Sequence, residues 1–258
     1  MRFFITLSYD GTRYHGWQIQ PNGDSVQERL QNALSTLLRQ PIEVVGAGRT
    51  DAGVHARMMV AHFDLDPPLP SLKGRESSPF KGELERVCEL ERALNKLLPP
   101  DIAVQHIRPV DPDMHARFSA TSRTYHYFIH TRKDPFLHAY SWQVPYKLDF
   151  ERMNAAAKVL LEYKDFTSFS KTGTDTKTNL CDLRDAHWDE LAPGRWRFTI
   201  TANRFLRNMV RAIVGTLVEV GRGRIGIEDL RRIIEAKDRC SAGESVPGKA
   251  LFLVDIQY

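Results

Sequence analysis

The chain has 258 residues, 42% of them hydrophobic and 26% charged, with a net charge of +4. That composition excludes a disordered or fibrous chain and leaves room for one large domain or two small ones. No run of about 18 apolar residues occurs, which excludes a membrane-spanning helix. The opening MRFFITLSYDGTR does not read as a signal peptide, because Thr6, Ser8 and Asp10 interrupt its apolar residues. Cys88, Cys181 and Cys240 lie far apart with no metal-ligand spacing, as expected of a protein in a reducing cytoplasm.

Residues 3–9 alternate apolar and polar and predict a strand. Ser25 and Glu28 form an S-x-x-E capping box. It opens a helix with Val26, Leu30, Ala33, Leu34, Leu37 and Leu38 on one face, and Pro41 ends it. Residues 42–45 and 58–65 predict strands on either side of a glycine-rich loop. A Pro- and Gly-rich loop over 67–82 leads into a second helix carrying Leu84, Val87, Cys88, Leu94, Leu97 and Leu98, stopped by Pro99-Pro100. A strand over 102–107 closes a β-α-β-β-α-β half.

Residues 108–118 carry two prolines and no clear periodicity, and predict a junction between halves 1–109 and 110–258. Beyond it, an aromatic strand covers 124–131, and a helix capped by Asp149 covers 150–163. Strands at 183–188 and 196–201 flank Pro193-Gly194. A helix over 205–220, a shorter one around Leu230, Ile233 and Ile234, and a strand over 251–258 complete the chain. The order is again β-α-β-β-α-β with one extra helix. The fold class expected is therefore α+β, two ferredoxin-like halves with helices on one face of an antiparallel sheet.

The loop GAGRTDAGVHA, residues 46–56, is the densest cluster of chemistry. A phosphate cradle needs glycines leading into a helix, but a strand follows here and no P-loop spacing is present. A metal site would draw on Asp51, His55 and His62, fewer carboxylates than hydrolytic metal centres gather. Two readings stay open. One is a tight turn with an Arg49–Asp51 ion pair. The other is a loop presenting one carboxylate, kept ionised by the nearby cation, as nucleophile or base.

Two other features bear on function. Tyr125 and Tyr127 share one strand face, His126 and Phe128 the other; one face is core and the other is open to stacking. Nine arginines and three acids lie between 195 and 232, either a solvated surface or a phosphate-binding face. Arg204, Arg207 and Arg211 fall at i, i+3 and i+7 of the predicted helix, a stripe opposite its apolar face.

GAGRTDAGVHA resembles the signature loop of the tRNA pseudouridine synthase A family. YDGTRYHGWQIQ with SVQERL, HARFSATSRTYHY, DFTSF, NRFLRNMVRAIVGTL and LFLVDIQY resemble its other motifs, in order along nearly the whole chain. The resemblance implies two ferredoxin-like halves sharing a mostly antiparallel mixed sheet, a basic cleft between them, and a homodimer. It implies isomerisation of uridine to pseudouridine in the anticodon arm of tRNA, at tRNA positions 38, 39 and 40, without a cofactor or metal. By the same resemblance Asp51 is the catalytic aspartate, and Arg49 takes the space of the extruded base or touches the RNA backbone. Tyr125 stacks on the target uracil, and Arg211 pairs with the aspartate. Arg204 and Arg207 match no fixed family position; the stripe alone points them at RNA phosphates. Ala212 stands where the family commonly has asparagine after MVR, and the 67–82 loop is longer than in compact members.

Overall fold

The computed structural model describes residues 1–65, 83–173 and 177–258; the 67–82 loop lies outside them. The chain forms two compact units, Met1–Ala120 with Tyr258, and Thr121–Gln257. Among the described residues there are nine strands and five α-helices, an α+β fold.

Unit 1 runs β1 (Arg2–Tyr9), α1 (Val26–Leu38), β2 (Val45–Gly46), β3 (His55–Asp64), α2 (Glu83–Leu97) and β4 (Ile102–Val110). Its strands lie in the order β4-β1-β3-β2, all antiparallel. Phe3, Ile5 and Leu7 sit opposite Phe63, Ala61 and Met59, and all six are buried. Leu30 and Leu34 of α1 and Val87, Leu90 and Leu94 of α2 are buried as well. The Ser25 side chain accepts from the Glu28 N–H at 3.3 Å to start α1. Arg39, in the left-handed conformation (φ 56°), ends it two residues before Pro41. Asn95 clips α2 to β4, donating to the Val104 carbonyl and accepting from its N–H, both at 2.8 Å.

The predicted junction at 108–118 is in part strand, since β4 continues to Val110. Proline is tolerated at position 109 because β4 ends the strand order of this unit, where a missing N–H leaves no ladder bond unmade. The residues after it pack back on unit 1. Arg2 bonds the Asp64 carboxylate and the Met114 carbonyl. His62 accepts the Ala116 N–H at Nδ1 (3.2 Å), and Tyr258 donates to the Ala116 carbonyl.

Unit 2 runs β5 (Ser122–His130), β6 (Trp142–Gln143), α3 (Phe150–Leu160), β7 (Leu183–Ala192), β8 (Arg195–Ala202), α4 (Met209–Gly221), α5 (Ile227–Ala236) and β9 (Leu251–Gln257). Its strand order, β9-β5-β8-β7, repeats that of unit 1, with the last strand beside the first and the first beside the third. Short β6, parallel to the end of β5, is absent from the sequence expectation because two residues carry no periodicity. Asp149 caps α3, accepting the Arg152 N–H.

The structure decides between the faces of β5. Tyr125, Tyr127 and Ile129 stand opposite Ile200, Phe198 and Trp196 of β8. Phe150 of α3 stacks on Trp196 at 3.7 Å and meets Trp188 edge-on, so Tyr127 and Ile129 are core, while Tyr125 on the same face is only half-buried. Tyr127 is fully buried and donates to the Pro247 carbonyl at 3.0 Å. Burial holds its phenol well above the ordinary tyrosine range. His126 and Phe128, half-buried, lie on the other face with Thr199 and Arg197 opposite.

The helix predicted over 205–220 begins instead at Met209. Asn208 adopts φ 67° and ψ 0°, a left-handed conformation that a helix interior does not accept. Arg204, Arg207, Phe205 and Leu206 therefore precede the helix, and the three arginines form no helical stripe.

Burial, with Arg2 and His115 nearby, lowers the His62 pKa from near 6.5 to about 4. The folded state therefore binds this proton less readily than the unfolded chain. The stabilisation is complete above about pH 6.5 and is lost as pH falls toward 4. We expect urea midpoints to fall across that window, and to fall less in His62→Gln, which keeps an acceptor for Ala116. Equal slopes in the two proteins would assign the effect to another group.

Candidate active site

The loop after β2 has no helix; at its start Ala47 N–H bonds the Val60 carbonyl of β3 at 2.8 Å. Its remaining backbone is held by the residues between β1 and α1. Trp17 N–H donates to the Thr50 carbonyl (3.2 Å), and Gly53 N–H to the Tyr14 carbonyl (3.3 Å). Val54 N–H closes a turn on the Asp51 carbonyl (3.1 Å). The Thr50 hydroxyl, buried, shares a 2.8 Å hydrogen bond with Tyr9 OH. Asp51 is thus half-buried between anchored neighbours on both sides.

Of the motif's glycines only Gly53 has positive φ, +72°, as the third position of such a turn requires. The tighter constraint is Gly16, outside the motif. It sits at φ +96°, and a Cβ there would be 2.3 Å from the Thr50 carbonyl oxygen. The Trp17 indole covers Gly46, where a Cβ would fall 2.4 Å from Nε1. His55 is buried, and its Nδ1 accepts the Gly11 N–H at 3.0 Å. These supports lie tens of residues from the motif in sequence. The dense glycines and aromatics of YDGTRYHGW were the only local sign of them.

Arg49 is exposed and enters no ion pair among the described residues. The reading of an Arg49–Asp51 ion pair in a tight turn is therefore not realised.

Tyr125, Arg204, Arg207 and Arg211 all belong to unit 2. Tyr125 is half-buried at a register shift between β5 and β9. Its ring meets Phe205 edge-to-face at 5.1 Å. Phe205 belongs to the segment before α4, which is braced at both ends. Arg123 donates to the Asn203 carbonyl (2.6 Å), Lys171 N–H to the Arg207 carbonyl (3.0 Å), and the Asn208 side chain to Ser245 Oγ (2.6 Å). Arg211, in the first turn of α4, donates from Nε to the Val246 carbonyl at 2.7 Å. Its own carbonyl accepts the Val246 N–H. Residues 243–247 reach this position by crossing α4 at Gly215, where a Cβ would lie 1.9 Å from the Glu244 carbonyl oxygen.

The arginine-rich stretch separates into two populations. Arg197 pairs with Asp189, Arg222 and Arg224 with Glu219, Arg231 with Glu162, and Arg232 with Asp229. Those five are held by four carboxylates, Glu219 serving both Arg222 and Arg224. Arg195, Arg204, Arg207 and Arg211 are outside these pairs.

Comparison with known proteins adds a second line. Residues 5–119 and 156–258 match the sequence profile of the family described as tRNA pseudouridine synthase. The chain is 56% identical over its full length to tRNA pseudouridine synthase A of Bacteroides thetaiotaomicron, covering 90% of that protein. It is 57% identical to the protein of that name from Parabacteroides distasonis, covering 96% of it. The Bacillus subtilis protein of that name is 40% identical, again across the whole chain and 99% of the relative.

The crowding at Gly16 is testable against a neutral neighbour. Gly16→Ala is expected to destabilise the protein by about 1–3 kcal/mol, through strained φ and the clash with Thr50. Gly48→Ala, where a Cβ meets nothing within 4 Å, should leave the thermal midpoint nearly unchanged. Indistinguishable midpoints for the two variants would refute the packing argument.

Proposed function

The chain belongs to the tRNA pseudouridine synthase family and is an isomerase, and from that premise we propose that it forms pseudouridine in the anticodon stem-loop of tRNA, at tRNA positions 38, 39 and 40. Asp51 is the reacting carboxylate, and no cofactor takes part. The observation that carries this reading is the Asp51 loop: one carboxylate, anchored on both sides through Thr50, Gly53 and Val54, in a motif shared with the family.

The chemistry fits so few groups. The N1–C1′ bond breaks, the uracil turns, a C5–C1′ bond forms, and the C5 proton is exchanged for one on N1. Atoms and electrons balance within the substrate, so neither an oxidant nor a group donor is consumed. Three routes are open to the carboxylate: attack at C1′, addition at C6, or removal of the 2′ proton. In each, the nucleotide must first leave the stack, at a cost of a few kcal/mol. Tyr125, its ring fixed edge-on by Phe205, is the stacking partner for the uracil, and its hydroxyl takes part in removing the C5 proton. Arg211, tied at Nε to Val246, binds substrate with its guanidinium. Arg49, exposed and without an ion pair, takes the place of the extruded base or meets the RNA backbone. Arg204 and Arg207 contact phosphates from the braced segment before α4. The working form is a cytoplasmic homodimer acting on tRNA. No helix among the described residues is long and apolar enough to cross a membrane.

Tritium release from 5-tritiated uridine in tRNA, without added metal or nucleotide, tests the reading. Asp51→Asn should lower the rate by roughly 10⁴-fold or more; residual activity near wild type would remove Asp51 from the chemistry. Tyr125→Phe should reduce kcat more than tRNA affinity. Equal losses in both would reduce Tyr125 to a binding group.

A further inference from the structure

The loop between β5 and β6 holds an aromatic side chain out in water. Phe136 is 89% exposed, the most exposed large apolar residue among those described. It is not on a frayed segment. The Asp134 carboxylate accepts the Phe136 N–H at 2.8 Å. Leu137 N–H bonds the Asp134 carbonyl, and Tyr140 N–H the Leu137 carbonyl. Lys249 ties the loop down, donating to the His138 carbonyl at 2.7 Å. At its start Thr131 N–H bonds the Gly194 carbonyl of the β7–β8 turn. An ordered turn that presents a phenyl ring to solvent marks a contact surface.

The charge around it is positive. Arg132 and Lys133 open the loop, and Arg195 stands opposite His130 at the end of β5. None of the three enters an ion pair among the described residues, unlike the five carboxylate-bound arginines of the same unit. Lys249 adds a fourth cation. Burial lowers the pKa of the His130 ring; the Asp134 carboxylate opposes the shift, and Lys249, Arg195 and His138 add to it. Two acids share the region, and each accepts a backbone N–H: Asp134 from Phe136, and Glu190 from Gly194.

We propose that this loop is a second tRNA contact, with Phe136 stacking on an exposed base and Arg132, Lys133 and Arg195 meeting phosphates. The combination of a protruding ring with unneutralised cations suits a polyanion that carries flat bases. The surface begins at the far end of the strand that carries Tyr125, about 16 Å away at the rise of a β-strand, a distance an RNA stem spans. The inference rests on the tRNA reading above and extends the footprint beyond the residues named there.

The test measures binding of an unmodified tRNA transcript to the full chain as a function of salt, with tritium release read separately. Phe136→Ala should weaken binding by about 5- to 100-fold, and Phe136→Trp should restore most of it. Arg132→Ala with Lys133→Ala should make the slope of log K against log salt shallower by roughly 1.5. Thermal midpoints and sedimentation should not move, since these side chains are exposed. Unchanged affinity and slope would overturn the proposal. So would loss of affinity that appears only together with a smaller sedimenting species, which would make the loop an interface between copies. Patch-dependent binding without any tritium release would overturn the isomerase reading alone. Normal release with binding indifferent to the patch would overturn this proposal alone.

Discussion

A loop without secondary structure must still find partners for its buried N–H and carbonyl groups, and the Asp51 loop finds them in one place. Thr50, Asp51, Gly53 and Val54 are fixed by Tyr9, Tyr14, Trp17 and an internal turn. The connection between β1 and α1 is therefore the mould in which the carboxylate is cast. That explains why the connection cannot carry a side chain at Gly16, where backbone meets backbone. It also gives His55 its role, as acceptor for the Gly11 N–H that pins the other end of the mould. Backbone bonds on both sides thus fix the position of the Asp51 residue.

Unit 2 solves the same problem with a different device. Its key segment, 203–208, is too irregular to hold itself, so it is tied to Arg123, Lys171 and Ser245. The chain returning from α5 crosses α4 in contact with Gly215 and delivers the Val246 carbonyl to Arg211 and the Pro247 carbonyl to Tyr127. One short crossing thus orders the first turn of α4 and the core beneath Tyr125 together. The left-handed Asn208 belongs to this arrangement, because its side chain reaches Ser245 from the point where the helix begins.

What was legible in the sequence follows from the range of the interactions. Ser25, Asp149 and Pro193-Gly194 act on residues two to four positions away, so they mark their helices and turn correctly. The order β-α-β-β-α-β rests on periodicity within single elements and was readable twice. The start of α4 was not, because apolar spacing continues smoothly from Phe205 into Met209 while the backbone breaks at Asn208. With the helix start misplaced, the arginine stripe dissolved. Thr50 with Tyr9, and Arg211 with Val246, are contacts between distant parts of the chain, and no local pattern encodes them. The family resemblance singled out Asp51, Tyr125 and Arg211 but said nothing of the groups that hold them.

The charges make the same point about context. Read along the chain, the nine arginines between 195 and 232 are one basic run. In the folded protein five of them face carboxylates within 3.1 Å and contribute little field at the ionic strength of a cell. A polyanion is attracted by what is left after those pairs are subtracted. In unit 2 that remainder includes Arg195, which the β5–β8 register sets opposite His130 at the end of β5, two residues before Arg132 and Lys133 open the next loop. The net charge of +4 therefore understates how strongly one region of the surface is positive, and pairing, more than composition, determines where that positive charge lies.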